Sequence, residues 1–86
     1  MSRLNKLKRL QYQSAHRGCK ETDMILGRFA EKYLKDFNDE EVNLYEEFIA
    51  QDDWDIYAWV TEKKPLPDDL KNKVTDLLMK FDFSRV

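Results

Sequence analysis

Three side chains within one short stretch carry conventional reactive chemistry: His16, Cys19 and Glu21. An imidazole, a thiol and a carboxylate at such spacing can in principle act as base, nucleophile and orienter. The chain holds one histidine and one cysteine in all, so the same stretch offers two soft metal ligands where a structural zinc site takes four. A lone cysteine forms no internal disulfide, which suits a reducing compartment. A glycine-rich phosphate loop is absent, and 86 residues of helical pattern offer little concavity for a buried cofactor. These residues point to a binding module with no catalytic nucleophile, no metal and no cofactor of its own.

The same stretch is also a corner. Leu4, Leu7 and Leu10 recur at helical spacing before it, and Ile25, Leu26, Phe29, Ala30, Tyr33, Leu34 and Phe37 recur after it. Gly18, one of only two glycines, can take the left-handed conformation that ends a helix. Read locally, Arg17 falls in the last turn of the first helix, and Glu21 and Asp23 fall in the first turn of the second. All three then complement helix dipoles, as exposed contacts of about 0.3 to 1 kcal/mol each. On residues alone the corner reads as a helix stop.

The elements around it follow from periodicity and caps. The first helix is expected from residue 3 to about 16, with a narrow leucine stripe that docks on the body rather than centring it. The second, from about 20 to 37, carries the widest apolar stripe and should centre the core. Gly27 inside it costs about 1 kcal/mol relative to alanine, which close helix packing would offset. Asn38 with Glu41 forms a capping box for a third helix to about Ala50, with Val42, Tyr45, Phe48 and Ile49 inward. Asp52 or Asp53 caps a fourth, closed by Lys63, Lys64 and Pro65. On that helix Trp54 and Tyr57 share a face from which Trp59 is turned away, so one tryptophan is expected at the surface. Pro67 is expected at the first position of a fifth helix carrying Leu70, Val74, Leu77, Leu78 and Phe81. Residues 1–3 and 82–86 are expected to fray. The reading is all-α: one domain, residues 1–86, built as a compact bundle of five helices.

Composition agrees with that class. At 42% hydrophobic and 13% aromatic the chain is too apolar for a disordered segment, and two Gly with two Pro are too few for a turn-rich sandwich. The longest unbroken apolar run, Ile56 to Val60, is far short of the roughly 18 to 20 residues of a membrane span. The leucines of the amino-terminal segment are interrupted by Asn5, Lys6, Lys8 and Arg9, unlike a signal peptide. On that ground the protein is expected to stay where it is made, the cytoplasm for a bacterial chain or the mitochondrial matrix for a processed form. The net charge of -2 conceals an asymmetry: residues 1 to 20 carry six Lys or Arg and no acid, whereas residues 21 to 86 carry nine against seventeen acids. Such a basic arm could meet an acidic partner.

Two blocks resemble a known family. Arg17-Gly18-x-x-Glu21, preceded by Leu10-x-Tyr12-x-Ser14 and followed by Asp23, is similar to the RGxxE signature of the succinate dehydrogenase assembly factors, the small flavinylation factors of bacteria and mitochondria. Asp53-Trp54-Asp55-Ile56-Tyr57-Ala58-Trp59 resembles a second block of that family, with no gap between the two, and the resemblance covers roughly residues 7 to 67. Trp54 follows the mitochondrial-like type where bacterial members have proline, and Cys19 replaces a more usual large apolar residue. The resemblance implies an assembly factor that binds the flavoprotein subunit of succinate dehydrogenase, with the fumarate reductase flavoprotein as a second candidate, and promotes covalent attachment of FAD to that partner. It implies a partner-facing surface at Arg17, Gly18, Glu21 and Asp23, with the adjoining His16, and at Asp53, Trp54, Asp55 and Trp59; Tyr57 reads better as core. The alternative is a helical adaptor for another protein or for nucleic acid, using the basic first helix, although no nucleic-acid reading element is recognisable.

Overall fold

The stripe from Ile25 to Phe37 makes one helix face apolar over three turns, and the rest of the chain closes over it. In the computed structural model, which describes residues 3–18 and 20–81, α1 spans Arg3–Ala15, α2 Lys20–Tyr33, α3 Asp39–Ile49, α4 Asp53–Val60 and α5 Lys73–Lys80. No strand occurs among the described residues. Ile25, Leu26, Phe29 and Ala30 of α2 share one core with Leu10, with Val42, Tyr45, Phe48 and Ile49 of α3, with Ile56 and Trp59 of α4, and with Val74 and Leu78 of α5. The chain is an all-α domain centred on its second helix, as the periodicity predicts.

Gly27 packs directly against Ala15 of α1. A Cβ built there would lie 3.3 Å from the Cβ of Ala15, so the glycine's propensity cost is offset by backbone approach. α1 consequently belongs to the core more fully than its narrow stripe suggests at its carboxyl end, where Leu10 and Ser14 are inaccessible, while Leu4 remains 61% exposed. Ser14 Oγ donates to the Leu10 carbonyl at 2.7 Å, which occupies its one proton. The buried Tyr45 hydroxyl therefore donates to Ser14 Oγ. Burial pushes the Tyr45 hydroxyl well above the usual tyrosine range, opposed by the Ser14 hydrogen bond and the Arg17 charge, so it stays a donor.

Three boundaries differ from expectation, each for a local reason. The α2 pattern does not continue as α-helix to residue 37: a 3-10 turn, Leu34–Asp36, follows Tyr33. Three residues per turn align Leu34 with Phe37, and both are buried. α4 ends at Val60, short of Lys63 and Lys64, because Glu62 takes a positive φ of 61° and the Lys63 and Lys64 amides both return to the Ala58 carbonyl, at 2.8 and 3.1 Å. Pro67 does not open α5; it precedes a 3-10 turn, Asp68–Leu70. Asn72 caps α5 instead, accepting from the Val74 and Thr75 amides while its own amide donates to Thr75 Oγ1. At the amino end Arg3 is already helical; the fraying expected at residues 1–2 and 82–86 lies outside the described residues. The Asn38 and Glu41 capping box is present in both halves, and Asp52 caps α4 by accepting from the Trp54 amide at 2.9 Å.

Candidate functional site

The corner is built by Arg17, which the helix-stop reading placed in the last turn of α1. α1 ends at Ala15, so Arg17 lies beyond it in the bend. Its amide donates to Asp23 Oδ1 at 2.6 Å, its Nε to Asp53 Oδ1 at 2.7 Å and its Nη2 to the Gln51 carbonyl at 2.9 Å. With a side chain only 13% exposed, Arg17 is a clip between the two sequence blocks rather than an exposed partner of a helix dipole. Gly18 follows at φ +97°, and a Cβ there would meet nothing within 4 Å. The corner thus presents bare backbone to open space. Glu21, exposed, and Asp23, half-buried, lie in the first turn of α2. Cys19 lies outside the described residues.

The second block divides between surface and core. Trp54 is 75% exposed and stands edge-on to Tyr57, ring centroids 6.3 Å apart. Tyr57, expected in the core, is half-buried, with Lys63 Nζ 5.1 Å from its ring centre. Trp59, expected at the partner surface, is 8% exposed and packs on Phe48; the helical rotation that frees Trp54 turns Trp59 inward. Asp55 lies 3.6 Å from Lys64. On the α1 side His16 is exposed and stacks on Tyr12 at 4.3 Å. His16, Arg17 and Asp53 share a depression of about 520 Å³ with Arg9 and Glu46. Among the described residues no three His, Cys, Asp or Glu side chains group as metal ligands.

The basic arm proves to be one side of an internal ladder. Arg3 pairs with Asp39, Lys6 bonds Asn43 at 2.6 Å, Arg9 pairs with Glu46, and Arg17 pairs with Asp53. Each partner lies 36 or 37 positions on in sequence. A constant offset requires α1 and α3 to run side by side in the same direction. Four of the arm's six cations therefore face this protein's own α3 and α4, which removes most of the charge that a nucleic-acid reading drew on. Neither periodicity nor local capping reveals the ladder; the repeated offset between cations and polar partners is the signal that could have.

The Arg9 hydrogen bond, aided by the Lys6 charge against some desolvation, holds the Glu46 carboxyl below the usual glutamate range. A carboxyl depressed in the folded state adds stability at pH values above its unfolded pKa, and that stability disappears as pH falls through the folded value. Glu46→Gln should accordingly lose less stability than the parent on acidification below about pH 4. Denaturant melts of both proteins across that range test this; parallel curves would dismiss the Arg9 contact as energetically idle.

Arg17 carries a larger expectation. Arg17→Ala should destabilise the fold by about 1 to 3 kcal/mol, since it leaves Asp53 and the Gln51 carbonyl without a partly buried donor. Asp53→Ala should cost less after Arg17 is gone than before, with a coupling of about 1 to 2 kcal/mol in a double-mutant cycle. Additive losses would mean the clip does not join the blocks.

A family model described as flavinator of succinate dehydrogenase matches residues 8–82. The protein named succinate dehydrogenase assembly factor 2-A, mitochondrial, of Drosophila persimilis is 47% identical over 72 residues, which are 81% of this chain and 45% of that protein. Assembly factor 2 of Debaryomyces hansenii is 47% identical over 74 residues, covering 81% of this chain and 52% of the relative. That of Kluyveromyces lactis is 51% identical over 67 residues, covering 74% and 41%. The chain thus spans about half the length of the curated relatives it matches. All three relatives are named mitochondrial, and these names lend no support to the expected bacterial cytoplasmic location.

Proposed function

The chain belongs to the family described as flavinators of succinate dehydrogenase, and from that premise we propose that it binds the flavoprotein subunit of that enzyme and promotes covalent attachment of FAD to it. The nucleophilic histidine and the flavin both belong to the partner. This chain acts as a helper, favouring one arrangement of the partner's domains in which the reacting groups meet.

The observation that carries the reading is the clip. One guanidinium ties the RGxxE block to the Asp53 block, Gly18 has no neighbour within 4 Å of a Cβ, and the joined blocks carry the exposed His16, Glu21 and Trp54 and the half-buried Asp55. An exposed tryptophan beside polar groups is a common interface anchor. Arg17, Asp23 and Asp53 hold the surface in shape, Gly18 admits another backbone, and Glu21, His16, Trp54 and Asp55 supply contacts. Trp59 supports the site from the core.

The test combines the purified chain with flavoprotein subunit lacking covalent flavin, adds FAD, and follows flavin that survives denaturation. Faster incorporation and co-purification of the two proteins are expected. The fumarate reductase flavoprotein serves as a second bait. Cys19→Ser should incorporate flavin as the parent does. Incorporation equal with and without the chain, together with no co-purification, would remove the proposal.

A further inference from the structure

The face of α1 turned away from the ladder meets α2 in a second groove, of about 620 Å³. Leu4, Leu7, Ala30 and Leu34 give it an apolar floor. Of the four large apolar side chains most exposed among the described residues, Leu4, Tyr12, Met24 and Trp54, two line this groove. A concentration of that kind on a small domain marks a contact surface.

Charge and continuity indicate what covers it. The cations of α1 that face α3 are taken up by the ladder, but Lys8 on the groove side has no ion pair among the described residues, and neither has Lys35 across the groove. Glu31 is the one acid on the rim, which leaves it net positive. The stacked Tyr12 and His16 line both this groove and the depression beside Arg17. They form a shared ridge, so a macromolecule seated against the corner passes directly into the groove.

We propose that the α1 and α2 groove is a second contact for the same flavoprotein, seating apolar side chains of a partner segment whose carboxylates meet Lys8 and Lys35. This rests on the function proposed above. Apolar contact supplies affinity, and the two cations reject partners that place positive charge there.

The experiment compares the parent chain, the exposed double substitution Lys8→Glu with Lys35→Glu, and Gly18→Arg for binding to the flavoprotein, each with a thermal melt. The double variant should melt as the parent does, bind at least tenfold more weakly, and show a flatter dependence of affinity on salt. A carbodiimide, which joins an amine to a carboxylate without a spacer, should link Lys8 or Lys35 to Asp or Glu of the flavoprotein in the parent complex. If the double variant binds as the parent does while Gly18→Arg fails, the groove proposal falls and the corner stands. If the cross-links join two copies of this chain, and sedimentation shows a dimer that the double variant breaks, the groove belongs to self-association and the proposal is overturned. If the parent captures no flavoprotein at all, both readings fall together.

Discussion

Phe29→Ala lowers the unfolding free energy by about 3 to 5 kcal/mol. The ring is inaccessible and sits at the meeting point of four others: Tyr33 at 5.0 Å between centroids, Tyr45 at 5.7 Å, Phe81 at 5.6 Å and Phe37 at 6.0 Å. Those rings come from α2, α3 and the segments following α2 and α5, so no single element can move inward to fill the space. In a domain whose whole stability is expected at roughly 5 to 10 kcal/mol, such a loss removes a third or more of it. With about 4 to 8 °C of melting temperature per kcal/mol at this size, the transition should fall by 12 °C or more. Urea titration of parent and variant measures it directly, and an unshifted midpoint would contradict the placement of α2 at the centre.

Gly18→Arg should abolish capture of the flavoprotein in a chain that still folds. A Cβ at this position meets nothing within 4 Å; the cost to the fold is the positive φ of 97°, about 1 to 2 kcal/mol. That is well below the loss expected for Phe29→Ala, so a far-ultraviolet spectrum should remain helical. Against a partner backbone, by contrast, an arginine occupies the approach that only glycine leaves free. Co-purification and covalent flavin yield, each measured beside a thermal melt, separate the two demands. Capture that weakens only in step with melting would reduce the corner to a helix stop.

What could be read beforehand follows the range of the interaction involved. The core of α2 and the Asn38 capping box depend on neighbours within four positions and are as the residue spacing predicts; of the two caps the spacing allows for α4 the structure uses Asp52, and of the two tryptophans it turns Trp54 outward. Pro67 illustrates a local signal defeated by a stronger one nearby: proline suits a first helical turn, but Asn72 and Thr75 satisfy three orphan donors between them, and α5 starts there. Arg17 depends on an aspartate 36 positions away. Its type and position fit a dipole contact just as well, so its part as a clip becomes visible only when α4 is placed.

The constant offset of the ladder makes α2 a measuring rod. α1 and α3 run in one direction, and the chain must return the length of α1 before α3 can begin; how far α2 travels therefore decides which turn of α3 lies opposite Arg3 and Arg9, and whether the start of α4 reaches Arg17. Four residues inserted into α2 would slide α3 by about 6 Å, a little over one turn, carrying each partner past its cation while leaving each helix intact on its own. The distance between the two sequence blocks is thus itself a structural quantity, and tolerance to insertion should be lowest in α2, which contributes no rung but separates the two sides of the ladder.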